Sequence, residues 1–229
     1  KKINDQHMIG KAFGGIAIVY QKTGNFNKSI QYLNKAIDIQ ESLKDNNALA
    51  GNLCNISLSY FDLGDIEKAK NKMDTGIKLF KKIGNKRAIQ IGNFEMSKFL
   101  HFEDDYISGI NVLNPAINYF KEIDDTIFLL RSLIQLGILQ RLSGQLKESI
   151  KTLNNAFEIA NKINHDIFIK TINIELAICD IKKSQNLLEK HIEESDDLNT
   201  KAYIYFNIYQ YTNDKNAKTL SKEYYNSLY

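Results

Sequence analysis

The sequence predicts an all-α protein, a right-handed superhelix of antiparallel helix pairs, and three observations carry that expectation. Small side chains recur at a 40-residue step in three columns: Ala17, Ser57, Ser97, Gly137 and Ala177; Ser29, Ala69, Gly109 and Ser149; Ala36, Gly76, Ala116 and Ala156. Self-similarity at such a period is the mark of a repeat architecture. Between these columns, apolar residues keep the i, i+3, i+4, i+7 spacing of a helix face, as in Phe13, Ile16, Ala17 and Tyr20. The chain is 43% hydrophobic and 25% charged, with a single proline in 229 residues. That is too apolar for disorder and too poor in proline for a sandwich of short strands.

Taken in order, the first unit opens near Gly10 and its first helix ends at Gly24. Glycine adopts the left-handed conformation after a helix without steric cost. Gly64 and Gly144 recur at the same place, with Asp104 and Ser184 substituting in the other units. A second helix follows, carrying Phe26, Ser29, Ile30, Leu33, Ala36 and Ile37 on one face. Unit two repeats the order through Leu53, Ile56, Ser57, Tyr60, Gly64, Ile66, Ala69, Met73 and Gly76. Leu43, Ile83, Ile123 and Ile163 each precede a short polar turn, so the linkers keep the period as well. Two turns of about three residues leave about 17 residues per helix, about 25 Å at the helical rise. Pro115 removes one backbone hydrogen bond and is expected to bend its helix near Asn111.

The fifth unit keeps its first helix through Ala177, but the small columns then reach Glu189 and Asp196. A shortened helix ending in an acidic turn is expected there, then a tyrosine-rich helix from about Asn199 and a last helix from about Asp214. The whole reads as one array over residues 1–229, with units at about 10–45, 50–85, 90–125 and 130–165. A degenerate unit at 170–196 and capping helices at 197–229 complete it.

The run Phe13, Ile16, Ala17, Tyr20, Gly24, Phe26, Ser29, Leu33, Ala36 resembles the tetratricopeptide repeat, and unit two matches through Leu53, Ile56, Ser57, Tyr60, Gly64, Ala69 and Gly76. The usual proline after the second helix is missing, and the period exceeds the common one. Longer repeats of this kind are similar to those of spindle-orientation adaptors and of bacterial signalling and regulatory proteins. The resemblance implies an α-solenoid that binds peptides or proteins and does not itself catalyse. It also implies that first helices line a concave groove. On this chain the implied positions include Ile18 and Lys22, Leu58 and Phe61, and Phe94, Lys98, His101 and Phe102. Arg131, Ile138, Arg141 and Ile178 continue the row. Roughly half of the apolar members are expected to pack as core. The two-carboxylate clamp of chaperone-binding relatives is matched only at Asn55, with Gly14, Ile18, Ile91 and Glu95 at its other places, which argues against a chaperone-tail adaptor.

Chemistry is scarce. His7, His101, His165 and His191 are scattered without metal-ligand spacing, so no metal site, catalytic residue or cofactor is expected. Gly14-Gly15 forms no phosphate-binding loop. The paired acids Asp104-Asp105, Asp124-Asp125 and Glu193-Glu194 fall at turns or helix ends, where capping accounts for them. Cys54 and Cys179 sit in apolar stretches as small hydrophobes, which suits a reducing, cytoplasmic compartment. A periplasmic or extracellular place would follow only from a signal or anchor outside this stretch, and the start at Lys1 suggests a fragment.

A net charge of +3 from 30 basic and 27 acidic residues argues against nucleic acid, and no apolar run is long enough for membrane insertion. The expected partner is a protein or peptide with apolar and acidic side chains. Tyr203, Tyr205, Tyr209, Tyr211, Tyr224, Tyr225 and Tyr229 crowd the last helices, where self-association is a further expectation. The function expected is a protein-interaction scaffold. The alternative is a peptide-responsive sensor region of a kinase, cyclase or transcription regulator.

Overall fold

A computed structural model describes residues 2–212 and 214–227, with the side chains of residues 2–4, 182, 183, 185 and 211 outside the described set. Among the described residues the chain is helical with no strand. The order is α1 (Lys2–Lys22), α2 (Phe26–Leu43), α3 (Asn46–Asp62), α4 (Ile66–Lys82), α5 (Lys86–Phe102) and α6 (Tyr106–Glu122). Then come α7 (Thr126–Leu142), α8 (Leu146–Lys162), α9 (Asp166–Cys179), α10 (Ile181–Glu194), α11 (Leu198–Thr212) and α12 (Lys215–Asn226). The helices α3 to α8 are each 17 residues long, the length that the period requires. The first helix begins well before Gly10, and α6 continues through the exposed Pro115.

Every connection from α1 to α9 is built the same way. One residue takes a left-handed conformation, φ between 51° and 82°, at Gly24, Lys44, Gly64, Gly84, Asp104, Asp124, Gly144 and Asn164. The next N–H then reaches a carbonyl five residues back, as in Asn25 to Tyr20 at 2.8 Å and Asp65 to Tyr60 at 2.9 Å. This satisfies carbonyls that the helix end leaves open. That same next residue caps the following helix: the side chains of Asn25, Asp45, Asp65, Asn85, Asp105 and Asp125 each accept an N–H three residues on. Asp105 and Asp125 are therefore caps. His165 is one too, its Nδ1 accepting the Phe168 N–H at 3.4 Å.

The fifth hairpin departs from the expectation at Ser184, which lies inside α10. The break falls at Asp180, whose φ of −133° and ψ of 57° lie outside the helical region. Ile181 is buried at 4% and enters the core directly, so the chain turns four residues early.

The chain forms two compact units, Lys1–Phe128 and Leu129–Tyr229. In the first, Ala17, Leu33, Ile37, Leu49, Leu53 and Ile56 make one core cluster, and Ala69, Met73, Ile77, Met96 and Phe99 the next. Their helices meet at small residues, among them the column member Gly76 and Gly92 outside the columns. A Cβ on Gly76 would lie 2.6 Å from Cys54 Sγ, and one on Gly92 would lie 2.7 Å from Ile77 Cγ1. Ser29 and Ser59 share a hydrogen bond of 2.9 Å inside this interior. In the second unit, a Cβ on Gly137 would lie 2.7 Å from Leu153 Cδ2, and the Ser149 hydroxyl donates to the Gly137 carbonyl at 2.7 Å. Ala177, Ile178, Ile181, Leu188, Ile192, Ile204, Ile208 and Ala217 form its core. Every member of the three small columns is buried.

Candidate functional site

In the first unit, α1 touches α3 and α3 touches α5, so the first helices of successive pairs share a surface. Phe61 of α3 stacks on the buried Phe99 of α5 at 4.7 Å and meets the edge of Phe102 at 5.6 Å. Phe102 remains 64% exposed. Leu58 packs half-buried on the same core. Lys98 pairs with Glu95 at 2.8 Å, and its ammonium stands 5.9 Å from the centre of the Phe94 ring. On α1, Ile18 and Lys22 are exposed, Ile18 at 39%. His101 is half-buried, its ring 6.1 Å from that of Tyr106.

Phe94 is 5% exposed and meets the Phe128 ring edge-on at 6.3 Å, so it is packing and not an open anchor. Two carboxylates, Asp62 and Glu95, also enter the surface. Burial raises the Asp62 carboxyl above its ordinary value, the Gln21 hydrogen bond and Lys98 oppose that rise, and Glu95 adds to it. Asp62 thus joins Gln21, Glu95 and Lys98 in one neighbourhood contributed by α1, α3 and α5. Glu95 was legible as the i−3 neighbour of Lys98 on one helix face.

In the second unit, Arg131 is exposed and Ile138 half-buried. Arg141 and Ile178 do not line a surface: they are 6% and 1% exposed. The Arg141 guanidinium lies 3.3 Å from Glu175 Oε2, 3.3 Å from the Tyr203 hydroxyl and 3.4 Å from Asn207 Oδ1. Tyr203 donates to Glu175 Oε1 at 2.9 Å. Burial pushes the Glu175 carboxyl up while Arg141 and Tyr203 hold it down, and burial then Glu175 push the Tyr203 phenol up. These four side chains tie α7, α9 and α11 together, because a charge out of water must be paired. A lone glutamate in the apolar run of α9 was the only signal for it.

Of the tyrosines, Tyr203 belongs to that cluster, Tyr205 stacks on Tyr224 at 5.8 Å, and Lys218 stands 4.9 Å over Tyr209. Tyr225 and Phe206, 55% and 50% exposed, line a cavity of about 400 Å³ between α11 and α12. The side chain of Tyr211 and all of Tyr229 lie outside the described residues. Burial pushes the Cys54 thiol up to about 12 and raises that of Cys179, so neither is poised as a thiolate. Among the described residues no three His, Cys, Asp or Glu side chains are placed to hold a metal, and no helix is long and apolar enough to cross a membrane.

Residues 9–82 match the family model of the tetratricopeptide repeat. That segment carries tetratricopeptide repeats. Residues 98–182 match the model of anaphase-promoting complex subunit 5. No curated protein matches. Among solved structures, aspartyl phosphate phosphatase F from Bacillus subtilis superposes with a TM-score of 0.81 at 12% identity, over 96% of this chain and 60% of that one. A Rap protein complexed with competence and sporulation factor gives 0.77 at 14% identity, over 99% and 64%. A signal transduction ATPase with a tetratricopeptide repeat sensor from Pyrococcus horikoshii gives 0.69 at 19% identity, over 94% and 32%. The chain therefore spans 60% of the length of the phosphatase, and at these identities the likeness is one of fold. The tetratricopeptide fold accounts for the buried columns, because its helix pairs approach at their small residues.

Proposed function

We propose that the protein is a non-catalytic interaction scaffold that captures a peptide or protein segment on the surface shared by α1, α3 and α5. The observation that carries this reading is the aromatic shelf of Phe61 and Phe102. Phe102 is 64% exposed beside the Lys98–Glu95 pair, although its neighbour Phe99 is fully buried. A large exposed aromatic held in place by an edge-on aromatic partner is what an interface anchor looks like. Ile18, Lys22, Leu58 and His101 extend the same surface, and Arg131 and Ile138 are candidates in the second unit. The likeness to a Rap protein complexed with competence and sporulation factor supports the reading.

Panning a random peptide library on the whole chain tests this. The enriched peptides should carry aromatic or aliphatic residues, and Phe102→Ala with Lys98→Glu should weaken their binding by about tenfold or more, the weight of one interface anchor. Binding that survives both changes undiminished would remove the shelf as the site. A second reading is a sensor region within a larger signalling protein in a cytoplasmic setting. It is favoured by the likeness to the repeat sensor of the signal transduction ATPase, of which this chain spans 32%. Sequencing the full gene decides it: an adjoining kinase, cyclase or helix-turn-helix supports the sensor.

A further inference from the structure

The charge of this chain is concentrated. Between Ile66 and Arg87 stand eight of the 30 basic residues and only two of the 27 acidic ones, Glu67 and Asp74. The remainder holds 22 basic residues against 25 acidic, so the near-neutral total conceals a basic segment in an acidic background. Within that segment three cations are already engaged. Lys68 pairs with Asp65 and Lys70 with Glu103, each at 2.6 Å, while Arg87 pairs with Asp125 at 2.8 Å and covers the Phe128 ring.

Lys78, Lys81 and Lys82 of α4 and Lys86 at the start of α5 are different. All four are exposed, and among the described residues none forms an ion pair. Lys78 and Lys82 are one turn apart on one side of α4, with Lys81 beside them, and the short turn at Gly84 brings Lys86 next to the helix end. The Asn85 amide donates to Asn47 at 3.2 Å, which holds the turn before α3, with the exposed Lys44, against this edge. Ile83, 40% exposed, follows Lys81 and Lys82 in the chain and precedes Lys86. The lysines in the last turn of α4 also face its carbonyl end, which favours cations and keeps them in place.

We infer that this edge, formed by the end of α4 and the start of α5, is a second docking surface, and that it takes an acidic protein segment with an apolar residue at its centre. Charge complementarity selects acidic partners. A protein segment is preferred to nucleic acid for two reasons. The edge offers no base-stacking group: Phe80 is 7% exposed and Arg87 is engaged. The apolar Ile83 at its centre is of use to a side chain and of none to a phosphodiester backbone. The inference is independent of the aromatic shelf, where Lys98 is already paired with Glu95.

Fluorescence anisotropy of a labelled glutamate peptide interrupted by leucine, titrated with the whole chain, tests this. The expected result is saturable binding that weakens as salt rises. Lys78→Glu, Lys82→Glu and Lys86→Glu together should weaken it by about tenfold or more, three exposed charge pairs being lost and reversed. Lys147→Glu with Lys151→Glu on α8 should leave it unchanged, as should Phe102→Ala, which separates this surface from the shelf. All the altered lysines are exposed, and an unchanged thermal melt confirms that the fold is kept. Equal loss from the α8 pair, no effect of the triple change, or tighter binding of poly(U) lost in the same triple variant would each overturn the assignment.

Discussion

At the scale of single residues, the second unit hinges on Arg141. Its guanidinium and the Glu175 carboxylate are both almost fully out of water and 3.3 Å apart, so each compensates the other's desolvation. Removing one partner leaves a buried charge, and Arg141→Met is expected to cost about 3 to 5 kcal/mol in denaturant unfolding. Arg141→Met with Glu175→Leu should recover most of that loss, because a well-packed apolar pair can replace a buried ion pair at little net cost. A double variant no more stable than Arg141→Met alone would mean that Tyr203 and Asn207 depend on the charges. The repeat position of Arg141 points to the groove, and position alone does not say which way a long side chain finds its counter-ion.

At the scale of elements, the turns set the helix lengths. Eight left-handed residues stand 20 apart from Gly24 to Asn164, and four of them are not glycine. A side chain in that conformation costs about 1 to 2 kcal/mol. Gly64→Ala should therefore lower stability by about 1 kcal/mol, and Lys44→Gly should raise it by a similar or smaller amount, since both turns otherwise share one geometry. Thermal melts of the two variants check the pair, and shifts of the same sign would contradict the account. The glycine turns were legible in the sequence because glycine announces the conformation. Asp104 was legible only through the period, and the break at Asp180 was not legible at all. Asp180 falls four residues before the place the period sets for the turn, and the burial of Ile181 decides the break.

At the scale of the whole molecule, a repeat array is stabilised by contacts between neighbours, so its parts need not share one stability. The largest fully buried side chains run from Leu33 in α2 to Leu188 in α10, whereas the buried set of α12 is Ala217. Hydrogen exchange is therefore expected to be slow from α2 to α10 and fastest in α12, read by mass spectrometry on intact chain. Uniform protection from α1 to α12 would show instead a single cooperative unit, against the division into two compact ones.

The sequence alone determined the helix pairs, their length and the closeness of their packing. A residue that must touch a neighbouring backbone has to be small, and smallness at a fixed step survives any change of the surrounding residues. Only the tertiary structure decided which large or charged side chains stay in water. Phe94 and Phe102 both stand in α5, yet one packs on Phe128 and the other remains 64% exposed on Phe61. Helical spacing gives a side chain a direction, but whether that direction meets solvent depends on what the next helix places there.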